Sequence, residues 1–142
     1  MYEGMIAETV VIQGDHGDQI DAYFARPAGP GPHPGVVVIH HMPGWDQDIK
    51  EITRKIAAQG YAAICHNLHQ RNGPGTAVEM SAATRESGGV PDAQFIGDTK
   101  GAVQYLLAQP YSSGKVGVIG FCSGGRQVVI AASNILEFDA AV

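Results

Sequence analysis

The sequence predicts an α/β domain in which a mostly parallel sheet carries helices on both faces. Three observations lead there. Short apolar runs rich in β-branched residues, above all Val36-Val37-Val38-Ile39, show no polar alternation, as in strands covered on both sides. Segments with apolar residues at helical spacing lie between these runs. The two kinds alternate along the chain, which is the pattern of parallel strands joined by helical crossovers.

Taken in order, residues 7–12 and 19–25 are β-prone runs separated by Gly14-Asp15-His16-Gly17-Asp18, whose turn chemistry makes them an antiparallel hairpin. Residues 27–34 contain four prolines, which cannot donate to a ladder, so this stretch is expected to be a surface connection. Residues 35–40 form the first buried strand. Asp46 caps a helix whose Ile49, Ile52 and Ile56 fall on one face, with Gly60 as its stop. Residues 61–65 are a second buried strand, followed by a polar, glycine-rich stretch over 66–91 in which 77–86 is expected to be partly helical. Residues 93–109 make a longer helix with Ile96, Val103, Leu106 and Leu107 on its apolar stripe and Pro110 just beyond. A third buried strand covers 115–119, a further helix 123–133, and residues 138–142 read as a strand cut off as it starts. No composition shift or linker divides the chain, so residues 1–142 are expected to be one domain.

The 142 residues carry a formal charge of -5 and are 44% hydrophobic, which fits a single packed domain. That charge argues against nucleic acid or an anionic membrane surface as partner, since both need a basic face. No apolar run approaches the roughly 20 residues of a membrane span, and the N-terminus lacks a basic start followed by an apolar stretch. Two cysteines make no disulfide framework, so a reducing, cytoplasmic setting is expected.

The most informative residues are Gly120-Phe121-Cys122-Ser123-Gly124-Gly125, between a buried strand and a helix. A nucleophile on a tight strand-to-helix turn needs small residues two before and two after it, because neighbouring chain passes too close for side chains. Gly120 and Gly124 meet that need around Cys122. The helix that follows aims free amides and its positive dipole end at this point, favouring a thiolate and an acyl-transfer oxyanion. The competing reading is that the glycines serve packing and that Cys122 is a small buried hydrophobe.

Residues 109–125, from Gln109-Pro110-Tyr111 through Lys115-Val116-Gly117-Val118-Ile119-Gly120-Phe121-Cys122-Ser123-Gly124-Gly125, resemble the nucleophile region of the dienelactone hydrolase family. Gly60-Tyr61-Ala62-Ala63-Ile64-Cys65, Gly73-Pro74-Gly75-Thr76 and the run from Val36 to Gly44 resemble it too, in the same order. The resemblance implies an α/β-hydrolase fold and hydrolysis of small esters or lactones through a Cys-Asp-His triad without cofactor. It makes Cys122 the nucleophile, with the amide of Ser123 and one from the His41-Met42 loop as the oxyanion hole. Two departures stand out. Many family members have a glutamate after the first buried strand that interacts with the resting cysteine, and His41 occupies that position here. Only 20 residues follow Cys122, holding Glu137 and Asp139 but no histidine, so the triad acid and base are not found and the fold is expected to be truncated after the nucleophile helix.

All six histidines precede the nucleophile. His16 and His33 sit in turn-like segments. With hydrolase sheet order, His40, His41, His66 and His69 gather at the carboxyl edge where open α/β sheets bind ligands. There they are open to three roles: lining a substrate pocket, ordinary packing, or holding a metal, for which the spacing matches no known ligand signature. Arg71, Arg85 and Arg126 are candidates to grip a substrate carboxylate, and Trp45 and His69 to line the pocket. The expected partner is a small ester or lactone, with no metal, and association with a second copy through an open sheet edge if the chain ends at Val142. A catalytically inactive binding or assembly module derived from a hydrolase, and a histidine-rich metal-binding protein, are the rival readings.

Overall fold

A computed structural model describes residues 4–142. β1 (Met5–Gln13) and β2 (Gln19–Pro27) form the expected antiparallel pair, in register from Met5 opposite Pro27 to Gln13 opposite Gln19. His16 and Gly17 close the hairpin with φ of 56° and 76°. β2 then pairs antiparallel with β4 (Ala62–His66). β4, β3 (His33–Ile39), β5 (Ser112–Gly120) and the short β6 (Ala140–Ala141) run parallel, giving the six-stranded order β1-β2-β4-β3-β5-β6.

The absence of polar alternation in β3 has the anticipated cause. Val37 and Ile39 point to the face covered by α3 (Asp92–Leu107) and α4 (Ser123–Asn134), where Phe95, Leu106 and Val128 join one core. Val38 points the other way, against Ile49 of α1 (Gln47–Ala57) and Cys65 of β4. Asp46 caps α1 as its position suggests, its carboxylate accepting from the Ile49 amide at 3.0 Å. Among the described residues no helix is long and apolar enough to cross a membrane.

Several boundaries move. β3 begins at His33, so the last two residues of the proline-rich connection lie in a central strand. Pro34 is tolerated there because the ladder to β5 shifts register between His33 and Gly35, and no amide is required at the irregularity. The inward face of α3 is Phe95, Asp98, Thr99, Ala102, Val103 and Leu106, whereas Ile96 and Leu107 are only partly buried. Two polar residues take core-facing positions because each has a partner waiting: Arg71 for Asp98 and His66 for Thr99. α2 (Ala77–Glu86) is a full helix, opened by a reciprocal cap in which the Glu79 amide donates to Thr76 Oγ1 at 3.2 Å and the Thr76 amide to Glu79 Oε1 at 3.0 Å.

Candidate active site

β5 ends at Gly120 and α4 begins at Ser123, so Phe121 and Cys122 make the whole turn between them. Cys122 has φ 55° and ψ -116°, a conformation that L-residues avoid and that persists only where the surroundings fix it. The surroundings are the two glycines. A Cβ on Gly120 would collide with the Gly124 carbonyl oxygen and sit 2.6 Å from Val128 Cγ2. One on Gly124 would lie 2.9 Å from the Ile39 carbonyl oxygen and 3.2 Å from that of His40. Both positions must therefore stay bare. Gly120→Ala is expected to lower stability by about 1–3 kcal/mol through this overpacking, read as a lower urea midpoint, and an unchanged midpoint would refute the tight turn.

The thiol that this turn presents is exposed. The amides of Gly124 and Gly125 are already bonded, to Phe121 O at 2.9 Å and Cys122 O at 3.0 Å. That of Ser123, first residue of the helix, has no acceptor within α4 and stands at its positive end. On the neighbouring strand Ile39 is in register with Gly120, and the chain then turns through a loop closed by the Gly44 amide on the His41 carbonyl at 2.9 Å. α2 holds this loop: Ser81 Oγ donates to the Met42 carbonyl at 2.6 Å, and Arg85 Nη1 donates to Ser81 Oγ at 3.0 Å. His41 Nε2 is 3.1 Å from both carboxylate oxygens of Asp46. Burial works against ionisation of Asp46, but hydrogen bonds from the Ile49 amide and from His41 hold its carboxyl below the usual range.

A cleft of about 500 Å³ opens at the carboxyl ends of β3 and β4. His41, Met42, His69, Arg85 and Arg126 all line it, so five of the candidates read from the sequence come together. Arg126 is 3.7 Å from Asp92 at the rim, with 72% of its side chain exposed. The rings of His40 and His69 meet edge to face, 4.8 Å between centroids. His40 has both nitrogens engaged: Nε2 accepts from the Leu68 amide at 3.1 Å, so Nδ1 carries the proton and donates to the His41 carbonyl, also at 3.1 Å. His66 lies within β4, its Nε2 3.1 Å from Thr99 Oγ1. Among the described residues no group of three or more His, Cys, Asp or Glu is placed to hold a metal ion.

Cys122 does not figure among the described residues that line this cleft, and two further candidates fall elsewhere. Trp45 donates from its indole to the Cys65 carbonyl at 2.8 Å, takes Lys50 Nζ over its ring at 4.0 Å, and packs beside α1 because its flat face completes the core there. Arg71 is bound by Asp98, Asp18 and the Asp15 carbonyl, which occupy its donors outside the cleft. Asp98 escaped the sequence reading, as did the cap of α2. The first has no local signal, since its partner lies 27 positions away, whereas Thr76-Ala77-Val78-Glu79 spells a capping box outright.

The model of the dienelactone hydrolase family matches residues 20–142. The chain belongs to that family. It is 33% identical over 136 residues to carboxymethylenebutenolidase of Pseudomonas putida, an alignment covering 92% of this chain and 57% of that one. A Klebsiella pneumoniae protein assigned provisionally to the dienelactone hydrolases superposes with a TM-score of 0.85 at 30% identity, over 96% of this chain and 58% of the other. A dienelactone hydrolase-like promiscuous phosphotriesterase from metagenomic libraries gives 0.79 at 28%, over 97% and 58%. The sheet and helices are thus those of an α/β-hydrolase fold, and this family member spans 57–58% of the length of these three relatives.

Proposed function

We propose that the chain carries the nucleophile and oxyanion elements of a hydrolase that opens a small ester or lactone through an acyl-cysteine intermediate, in a reducing, cytoplasmic setting. The observation that carries the reading is the strained, exposed Cys122 between two glycines that admit no side chain. Its sulfur attacks the acyl carbon, the carbonyl electron pair moves onto oxygen, and the amides of Ser123 and of the His41-Met42 loop receive the oxyanion. When the tetrahedral centre collapses, the carbon–oxygen bond breaks and the alcohol leaves; water then attacks the thioester and returns the thiol. Arg85 and Arg126, which both line the cleft, suit a substrate that bears a carboxylate.

Incubation with p-nitrophenyl acetate tests this. The wild-type chain should gain one acetyl group, on Cys122, with a matching release of p-nitrophenol, and Cys122→Ala should gain none. A chain acetylated to the same extent without Cys122 would end the assignment. The relatives' own names, together with 33% identity to the Pseudomonas putida enzyme, favour a lactone over a phosphotriester as the substrate class.

A further inference from the structure

The loop after β3 is clamped by a side chain that a helix ordinarily keeps for itself. Ser81 lies in the middle of α2 with 2% of its surface exposed. A serine or threonine inside a helix commonly turns its hydroxyl back onto the carbonyl four residues earlier, and Thr53, Thr84 and Ser133 do so here at 2.7–2.8 Å. Ser81 instead reaches 39 positions along the chain and donates to the Met42 carbonyl at 2.6 Å. A hydroxyl has one proton to give. Arg85, one turn further on, donates Nη1 to Ser81 Oγ at 3.0 Å, which engages the acceptor side of the hydroxyl and leaves that proton for Met42.

Both peptides that flank Met42 are held by their carbonyls. That of His41 accepts from the Gly44 amide at 2.9 Å and from His40 Nδ1 at 3.1 Å. Because this peptide is planar and trans, the Met42 amide points away from those two donors, and it has no acceptor among the described residues. The next peptide runs into Pro43, which brings no amide, so the Met42 carbonyl is its one polar handle. Ser81 takes that handle. At the root of the loop a Cβ on Gly124 would lie 2.9 Å from the Ile39 carbonyl oxygen and 3.2 Å from that of His40, so the loop starts beside the first turn of α4.

We propose that Ser81 is a positioning residue for acyl transfer, with Arg85 orienting its hydroxyl. Together they fix the backbone rotation at Met42, and with it the direction in which the Met42 amide meets an oxyanion. The inference rests on the reading in which the His41-Met42 loop supplies one of the oxyanion amides. No proton is transferred: the amide keeps its hydrogen and shares it with the oxygen that becomes charged, a donor that is most effective when its direction is set beforehand. Without the Ser81 hydroxyl the Met42 carbonyl loses its partner in the protein, and only the peptide on the other side remains held. α2, which lines the cleft through Ser81, Thr84 and Arg85, thereby belongs to the reacting site and is not only its wall.

Two reactions of the same sulfur separate this role from a structural one. Acetylation of Cys122 by p-nitrophenyl acetate builds negative charge on a carbonyl oxygen, whereas alkylation by iodoacetamide needs the thiolate and builds none. Both are followed by intact mass on the full chain, with Cys65 as internal control, since burial pushes its thiol pKa up and keeps it silent. Ser81→Ala should acetylate about tenfold more slowly than wild type, with its alkylation rate unchanged. The loss should appear in the rate constant at saturating ester, not in the ester concentration that half-saturates the reaction. Arg85→Ala, a change at an exposed side chain, should acetylate at a rate between the two. p-Nitrophenyl acetate bears no carboxylate, so this variant reads the orientation of Ser81 and not a grip on substrate, and it carries the test if Ser81→Ala does not fold. Acetylation at the wild-type rate in Ser81→Ala, or in Arg85→Ala where that variant carries the test, overturns the proposal and leaves the hydrolase reading in place. A parallel fall in alkylation overturns it too, because the turn at Cys122 would then have been disturbed. A wild-type chain never acetylated at Cys122 rejects the hydrolase reading, and the positioning role with it.

Discussion

Lowering the pH from 7 to 5 is expected to remove about 3–4 kcal/mol of folding stability, through two buried histidines. His40 and His66 are fully buried, and desolvation pushes their pKa values from the ordinary 6.5 down to about 3 and about 4. The hydrogen bonds explain why neither ring accepts a second proton in the fold. At His40 the Leu68 amide already points at Nε2, so a protonated ring would set two donors against each other. At His66, Nδ1 is buried without a partner, and a proton placed there would have nothing to bind. Above pH 6.5 neither the folded nor the unfolded chain holds these protons, and the stability is complete. Below it the unfolded chain binds both while the folded chain does not, each ring contributing roughly 1.4 kcal/mol of loss per pH unit until its folded pKa is passed. Ordinary carboxylates titrate near pH 4, so the loss between 6.5 and 5 belongs to histidine. Urea unfolding at pH 7, 6 and 5 measures it, and His66→Gln should remove close to half of the slope. A midpoint that stays level across that range would show that the rings are solvated after all.

What the sequence made legible divides along a physical line. Strands and helices whose signals are local were read correctly: the unalternating Val36–Ile39 run, Asp46 before Ile49, and the two glycines around Cys122. The same holds for the tightness of the turn at Cys122, since the constraint that makes it, backbone that would come within 2.9 Å of a Cβ on Gly124, acts on neighbours in sequence and on one adjacent strand. The readings that moved depend on pairing over distance. Arg71 is a candidate grip for a substrate carboxylate until the fold places Asp98 beside it, and the inward face of α3 cannot be fixed without knowing that Asp98 and Thr99 have partners inside. His41 illustrates both kinds. Its place at the end of β3 followed from the order of elements, while its bond to Asp46 depends on how the loop at 42–45 folds back.

Arg71→Ala is the substitution expected to destabilise the chain most, by about 3–5 kcal/mol, because it strands a buried carboxylate. Asp98 has no exposed side-chain surface and takes two parallel hydrogen bonds from Arg71, Nη1 to Oδ2 at 2.8 Å and Nη2 to Oδ1 at 2.9 Å. The Asp15 amide adds a third to Oδ1 at 2.8 Å, and Arg71 Nε reaches Asp18 at 2.9 Å. One guanidinium thus ties α3 to the β1–β2 turn and to the segment between β4 and α2. Space around the carboxylate is closed as well, since a Cβ on Gly14 would meet Asp98 Oδ1. Without Arg71 only the Asp15 amide remains to stabilise the charge. Arg71→Lys restores the charge but not the paired geometry, so it should recover part of the loss. Combining Arg71→Ala with Asp98→Asn removes the uncompensated charge and should be more stable than Arg71→Ala alone. Urea midpoints for the three variants decide the matter, and equal stability of the single and double variants would mean that Asp98 is not ionised in the fold. The same variants separate two roles for this arginine. A substrate anchor, removed, would slow acylation of Cys122 in molecules that remain folded; a structural tie would lower only the folded fraction. With its donors engaged by Asp98, Asp18 and Asp15, Arg71 should behave as the second, leaving the alkylation rate of folded Cys122 unchanged.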